Sequence, residues 1–412
     1  MKIAVIGGGA AGCFCAIGLK RRLPDADVTI YEAGPKLLAK VAVTGGGRCN
    51  LTNSFRGVER LGEVYPRGEQ LMRRALRVFS HEDTIRWFEA EGVRLVVQED
   101  QCVFPASQDA MQIVRTLERC LREVGVRVRL NARVEAIGAT AEGTFCLEIP
   151  GQARNDYEGD RNGYEKVVIT VGGCSREKLA QLLPEGIELT DTVPSLFTLK
   201  IPDAGLRALM GTVVEQAALS LAGTRFRAAG TLLLTDWGVS GPATLRLSSY
   251  AARHLAENGY AGTLLINWLD AAEADAREWI AATASANAKK QAASTPPDGI
   301  TARLWRHLLG RAGLREDLRW AELGGKGAAR LAATLTADAY PVAGRARFKE
   351  EFVTCGGVAL SGININTLES KVRPGLYFAG EALDVDAVTG GFNLQAAWST
   401  AATVVQALGD FE

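Results

Sequence analysis

The chain has 412 residues, enough for two or three domains with a sizeable core. Apolar residues make up 47% of it and charged residues 23%, and Lys plus Arg (47) equals Asp plus Glu (47), so no global field steers it toward nucleic acid or anionic membrane. No apolar run reaches membrane-spanning length, and the eight cysteines include no C-x-x-C pair; ribbon-type zinc sites and thioredoxin-like couples are excluded, no metal is expected, and the setting reads as reduced and cytoplasmic.

In chain order, "MKIAVIGGG" places a buried strand at the first residues and leaves no room for a presequence. "AAGCFCAIGLKRRL" reads as a helix and "DVTIYEA" as a second strand. "SHEDTIRWFEAEG" predicts a helix capped by Ser80 and ended by Gly92. "DAMQIVRTLERCLREVG" has apolar residues at helical spacing and stops at Gly125. "VRVRLNARVEAI" alternates as one strand should, and "KVVITVGG" is another apolar strand.

From about residue 176 the βα alternation is lost. "SLFTLKI" and "RAAGTLLLTDWGVSGPA" look like strands between turns, with "LTDWGVSGPA" too rich in turn formers for a regular strand. Residues 268–338 are Ala-rich and helical, broken at "TPPDG". The α/β character returns at "EEFVTCGGVAL" and runs through the C-terminal helix. The expectation is an α/β fold: a discontinuous Rossmann-like domain of residues 1–190 and 345–412. It is interrupted by a β-rich insert at 191–245 and 325–344 and a helical insert at 246–324.

Gly7, Gly9 and Gly12 fill the fixed positions of G-x-G-x-x-G, between a predicted strand and a predicted helix. Glu32 follows Gly12 by twenty residues at a strand end. That context makes the motif a dinucleotide fingerprint: Gly7 for the tight turn, Gly9 for backbone approach to a pyrophosphate, Gly12 for helix packing, Glu32 for a ribose diol. Ala11, in the first turn of that helix, and Ala33, beside Glu32, belong to the same nucleotide-binding set, with Val134 and the Gly172–Gly173 pair further along.

At the other end, "GLYFAGEALD" and "TGGFNLQAAWSTA" form a strand, an acidic turn, a glycine pair and a helix. In flavoproteins of the glutathione-reductase type such a segment holds the ribityl chain and flavin ring. Glu381 would bond ribityl or pyrophosphate-linked groups. Gly390, Gly391, Asn393, Leu394 and Gln395 would face the pyrimidine end, where a helix N-terminus favours negative charge. Asp384, beside this loop, is counted with the cofactor-binding set, in a ligand, turn or capping role.

These blocks, with "KLLAKVAVTGGGRCNLTN", "VFPASQDA", "LLLTDWGVSGPATLRLS" and "VTCGGVAL", resemble one bacterial flavoprotein family from the first strand to the last helix. Its members are known as NAD(P)/FAD-dependent oxidoreductases, some as aminoacetone oxidases or bile-acid-related reductases. The resemblance implies FAD, a two-part FAD domain, and an insert combining a β-barrel-like unit with a helical one. The chain departs from it in the short "VGGCSREKLAQLLPEG" and in Gln101-Cys102, where relatives often hold Gly-Arg.

In "TGGGRCNLTN", Thr44, Gly45, Gly46 and Gly47 would let backbone approach a planar ring, and Lys40 lies just upstream. No G-K-[ST] follows, which excludes a Walker-type loop. Arg48 suits a phosphate or a substrate carboxylate. Cys49 lacks the vicinal partner of a disulfide reductase and reads as packing, and Asn50 completes the cofactor-contacting set. No catalytic acid or base is identified; Arg48, Cys49 and Asn50 are the candidates. His81, His254 and His307 lie in charged helical segments and read as surface residues.

The function expected is an FAD-dependent oxidoreductase. It would transfer a hydride equivalent between a small organic substrate and flavin N5, with NAD(P)H or O2 as the partner and no membrane or nucleic acid. A second complete G-x-G-x-x-G is absent, so no dedicated nicotinamide domain is expected. The alternatives are an RNA-modifying flavoprotein using Arg67, Arg73, Arg74 and Arg77, a non-catalytic FAD-binding sensor, and an NAD-only dehydrogenase.

Overall fold

Strand β1 (Lys2–Ile6) is apolar on both faces because it lies at the centre of a parallel sheet. On one side it pairs with β2 (Asp27–Tyr31), Ile3 beside Val28 and Val5 beside Ile30, and β2 pairs with β3 (Arg127–Arg129). On the other side lies β4 (Lys166–Ile169), then the closing strand Leu376–Phe378. The five strands run in the order closing strand, β4, β1, β2, β3. This computed structural model describes residues 1–140, 142–150, 163–346 and 353–410. Residues 350–352, which begin the predicted "EEFVTCGGVAL" segment, and the last two residues lie outside the described residues.

Helix α1 (Ala10–Arg22) leaves β1 and packs along the closing helix Phe392–Gly409. Small residues set that approach: a Cβ added at Gly18 would come within 2.8 Å of Val405. The helix His81–Ala90 starts as predicted, with Ser80 Oγ accepting from Asp83 N and Asp83 Oδ2 accepting from Ser80 N, a reciprocal cap. The helix Ala110–Glu123 is capped by Asp109. Among the described residues, no helix is long and apolar enough to cross a membrane.

Two expectations change. "VRVRLNARVEAI" is not one strand but β3 and a separate strand, Ala136–Ala139, in a two-stranded sheet. Between them Asn131 takes a left-handed φ of 54°, and the amides of Asn131 and Ala132 donate to the carbonyls of Gly34 and Glu32. Alternation alone cannot report such a handover of backbone partners. "LTDWGVSGPA" is a tight hairpin, Thr235 pairing with Gly238, whose second arm Gly238–Ser240 is a regular sheet strand.

The chain divides into two compact units, Met1–Pro194 with Val353–Glu412, and Ser195–Phe352. The second holds a six-stranded antiparallel sheet. Its strands run Leu199–Lys200, Gly238–Ser240, Arg227–Thr235, Val213–Leu221, Ala261–Asn267 and Asp338–Ala343. Lys200 N donates to Gly344 O at 2.8 Å and Ala346 N to Thr198 O at 3.1 Å, so the sheet's two edges meet and close it into a barrel. Its core buries Leu219, Leu232, Leu264 and Ile266, and the helices of the unit bury Trp305 and Trp320. Asp338 enters this core paired with Arg311 at 2.6 Å and accepting from Trp268 Nε1 at 3.2 Å.

Candidate cofactor site

The sheet's C-terminal ends carry the fingerprint. Gly7 leaves β1 at φ 110°, where a Cβ would overlap the Thr170 carbonyl, and Thr170 Oγ1 donates to Gly7 O at 2.8 Å and Ile6 O at 3.0 Å. Thr170 is a brace that the sequence motif does not mention. A Cβ at Gly12 would overlap Gly7 O and reach 2.6 Å from Thr170 Oγ1. Gly9 is different: no atom lies within 4 Å of its would-be Cβ. No side chain caps α1 and its first turn holds no acidic residue, leaving a positive helix end beside open space. Ala11, in that first turn, is buried against Gly380.

Glu32 directly follows β2 and accepts from Gly8 N at 2.8 Å and Gly34 N at 2.7 Å, one bond to each carboxylate oxygen. With Gly7, Ala33, Val134, Cys174 and Lys178 it lines a cavity of about 290 Å³ at the end of the sheet. Three predicted residues, Glu32, Ala33 and Val134, therefore share one hollow with the glycine turn. Cys174 and Lys178 lie at and just after the short "VGGC" segment, which carries no motif that would mark them.

A second group gathers around Glu381. Its Oε1 accepts from Thr354 N at 2.8 Å and its Oε2 pairs with Lys40 Nζ at 3.2 Å. Gly172 and Gly173 border the same carboxylate, and a Cβ at Gly173 would come 2.5 Å from Glu381 Oε1. Asp384 N donates to Val358 O at 3.0 Å in the turn that follows.

The loop from Thr44 holds three successive left-handed glycines, with φ of 58°, 67° and 81° at Gly45, Gly46 and Gly47. Thr44 Oγ1 donates to Val41 O at 2.9 Å, and Cys49 N closes the loop on Thr44 O at 3.0 Å. Nothing lies within 4 Å of a Cβ at Gly46 or Gly47, whereas at Gly45 it would meet Asn50 N at 2.9 Å. Cys49 is fully buried, and burial pushes its thiol up to about 12, so it stays protonated at neutral pH.

The loop's second half locks onto the start of the closing helix. Asn50 Oδ1 accepts from Gly391 N at 3.1 Å while its amide donates to Thr52 O, and Asn53 Nδ2 donates to Gly390 O at 3.0 Å. Asn53, the last residue of "TGGGRCNLTN", thus has a bracing contact that the motif does not specify. Gln395 is fully buried; its Oε1 accepts from Thr52 Oγ1 at 2.5 Å and Thr84 Oγ1 at 2.9 Å. Asn393 accepts from Ala387 N and donates to Ala387 O, bracing the preceding loop. The side chains of Asn393 and Gln395 serve the protein, while the backbone of Phe392, Asn393 and Leu394 opens an uncapped helix.

Among the described residues one trio, Glu91, Cys120 and Glu123, has metal-like spacing. Arg21 and Arg119 already pair with these carboxylates and the Cys120 thiol is pushed up to about 11, so no net negative charge is left for a cation. His81 stacks on Phe55 and His307 meets Tyr340 Oη at 3.1 Å; burial lowers the pKa of both imidazoles, which are half-buried rather than surface residues.

Residues 1–407 match the family described as "HI0933-like protein Rossmann domain". A 3-dehydro-bile acid delta(4,6)-reductase of Clostridium scindens is 28% identical over 97% of this chain and 97% of its own length. A ribosomal RNA dihydrouridine synthase of Escherichia coli is 30% identical over 98% of this chain and 97% of its own. Among solved structures, a 3-ketosteroid-Δ4-(5α)-dehydrogenase of Rhodococcus jostii RHA1 aligns over 98% of this chain and 96% of its own, at 14% identity and a TM-score of 0.48.

Proposed function

Because the chain belongs to the HI0933-like family of FAD-binding Rossmann-domain oxidoreductases, we propose that it is a reductase of small organic substrates. Its target is a carbon–carbon double bond conjugated to a carbonyl, and NADH or NADPH is the reductant. The observation that carries this reading is the interlock of the Gly45–Gly47 loop with the uncapped closing helix through Asn50 and Asn53. It supports a second cofactor-facing surface beyond the nucleotide fingerprint, as a dinucleotide with a large ring system requires.

The residues present fit FAD on two tests. Gly9, Gly46 and Gly47 border space that a single Cβ would enter, and Glu32, Ala33 and Val134 line a hollow beside the glycine turn. The α1 start would hold the pyrophosphate, Glu32 the ribose, Lys40 and Glu381 the linking chain, and residues 44–47 and Asn50 with 390–394 the flavin end. FAD, when bound, supplies two-electron hydride chemistry. The protein's part is to hold the ring against bare backbone and to direct the positive end of the closing helix toward it.

The two relatives described above are named as a delta(4,6)-reductase of a 3-dehydro-bile acid and as a dihydrouridine synthase of ribosomal RNA, and both names fit saturation of a double bond conjugated to a carbonyl. The 30% identity to the RNA enzyme supports a second reading in which the substrate is a uracil in RNA. The basic stretch such a substrate would follow is partly engaged already. Arg67 pairs with buried Asp386, Arg73 with Glu69, and Arg74 donates to Asn366. The test is anaerobic: NADH or NADPH should bleach the yellow protein, and a 3-oxo-4-ene steroid acid or a smaller enone should restore the colour. Restoration by ribosomal RNA alone selects the second reading. Protein that purifies without flavin, or colour that only O2 restores, overturns the proposal.

A further inference from the structure

We propose that Arg48 anchors a carboxylate on the substrate, which makes the preferred substrates conjugated carbonyl compounds that are also acids; this rests on the reductase reading above. Arg48 is exposed, and among the described residues no carboxylate lies within salt-bridge distance of it. That isolation contrasts with Arg67, Arg119 and Arg311, each matched to an acid.

The side chain is nonetheless held. Its guanidinium carbon lies 4.4 Å from the centroid of the Phe104 ring, Nε donates to Gly45 O at 3.2 Å, and Nη1 reaches Gln108 Oε1 at 3.5 Å. Gln108 is itself fixed by its Nε2 donating to Pro105 O at 3.0 Å. Stacking on a ring immobilises a guanidinium without neutralising it, and the remaining N–H donors form a planar fork suited to two carboxylate oxygens.

Position argues for substrate rather than cofactor phosphate. Arg48 does not line the hollow that holds Glu32, Ala33 and Val134, and the α1 start already offers a pyrophosphate its amides. Arg48 instead directly follows the run of open glycines and is tied to the carbonyl of Gly45, so its fork belongs to the glycine loop. A single fork of this kind suits one small acid better than a polyphosphate strand, which needs a row of cations.

The test uses the flavin spectrum of the holoprotein as its readout, with benzoate and benzamide as probes. In the wild type, benzoate should perturb the visible band and bind at least tenfold tighter than benzamide. Arg48→Gln should retain flavin, lose at least tenfold in benzoate affinity and leave benzamide unchanged, and Arg48→Lys should fall between. Equal benzoate affinity in wild type and Arg48→Gln, or no benzoate effect in the wild type, overturns the assignment. Loss of flavin from Arg48→Gln overturns it in favour of a cofactor contact. Displacement of benzoate by oligouridylate from the wild type alone transfers the anchor to an RNA phosphate and also overturns it. A wild type that purifies colourless marks failure of the underlying flavoprotein reading, which none of the Arg48 outcomes mimics.

Discussion

Gly9 and Gly12 occupy one motif but answer to different neighbours. At Gly12 a methyl group would overlap Gly7 O and press on Thr170 Oγ1, so α1 must move off the sheet. Overpacking of this kind costs about 1–3 kcal/mol. At Gly9 the backbone has φ −83° and no protein atom within 4 Å of a Cβ, a conformation and a space that alanine accepts. Gly9→Ala should therefore leave the melting temperature of flavin-stripped protein unchanged while lowering its flavin-to-protein ratio. Gly12→Ala should lower both. Equal flavin retention by Gly9→Ala and wild type would show that no cofactor approaches this turn. The same contrast separates residues that shape the site from residues that border it. Thr170 and Asn53 belong to the first kind, bonding to glycine carbonyls from other strands and loops.

At the scale of elements, the junction between the glycine loop and the closing helix depends on Gln395. Its amide joins Thr52, Thr84 and Ser399 inside a space that excludes water. Gln395→Leu keeps the volume but deletes three buried hydrogen bonds, each worth about 0.5–1.5 kcal/mol net, while the hydroxyls of Thr84 and Ser399 keep the Ser80 and Phe79 carbonyls. A loss of about 3 kcal/mol in urea denaturation, with weakened flavin retention, is expected. An unchanged urea midpoint would mean that the junction is held by packing alone. Sequence pattern reached this helix and its glycine pair, because a strand, a turn and an apolar helix are written in adjacent residues. It directs the backbone amides of residues 390–395 to the cofactor and is silent on the Gln395 side chain, since nothing local tells a side-chain amide that lines a site from one that ties elements together. The barrel-like unit follows from the family resemblance and not from local pattern, because its closing bonds join residues 198–200 to 344–346, far apart in sequence. The turn at Gln101 shows the converse. Its φ of 65° explains why the resembling family often has glycine there. The Phe104 shelf under Arg48 was hidden for the same reason as the closure, because only folding brings the two together.

For the molecule as a whole, the buried thiols define an alkaline limit. Cys13, Cys15 and Cys49 are fully buried within the unit that carries the fingerprint, and burial raises all three pKa values, to about 12 for Cys15 and Cys49. Below the ordinary thiol value of 9.0 the folded and unfolded chains bind the same protons at these sites, and pH has no effect through them. Above it the unfolded chain releases protons that the folded chain keeps, so stability falls as pH rises, until the folded value is passed. Each thiol contributes a slope of about 1.4 kcal/mol per pH unit in that window. Cys15 is the cleanest reporter, because burial is the one cause of its shift. Cys15→Ala should lower the urea midpoint at pH 8 through the lost volume. Between pH 8 and pH 10, in the presence of reductant, it should then lose less stability than the wild type, by about one thiol's share of the slope. Parallel losses in the two proteins would mean that Cys15 ionises in the folded state as freely as in the unfolded one, and that α1 is not packed as tightly as its neighbours require.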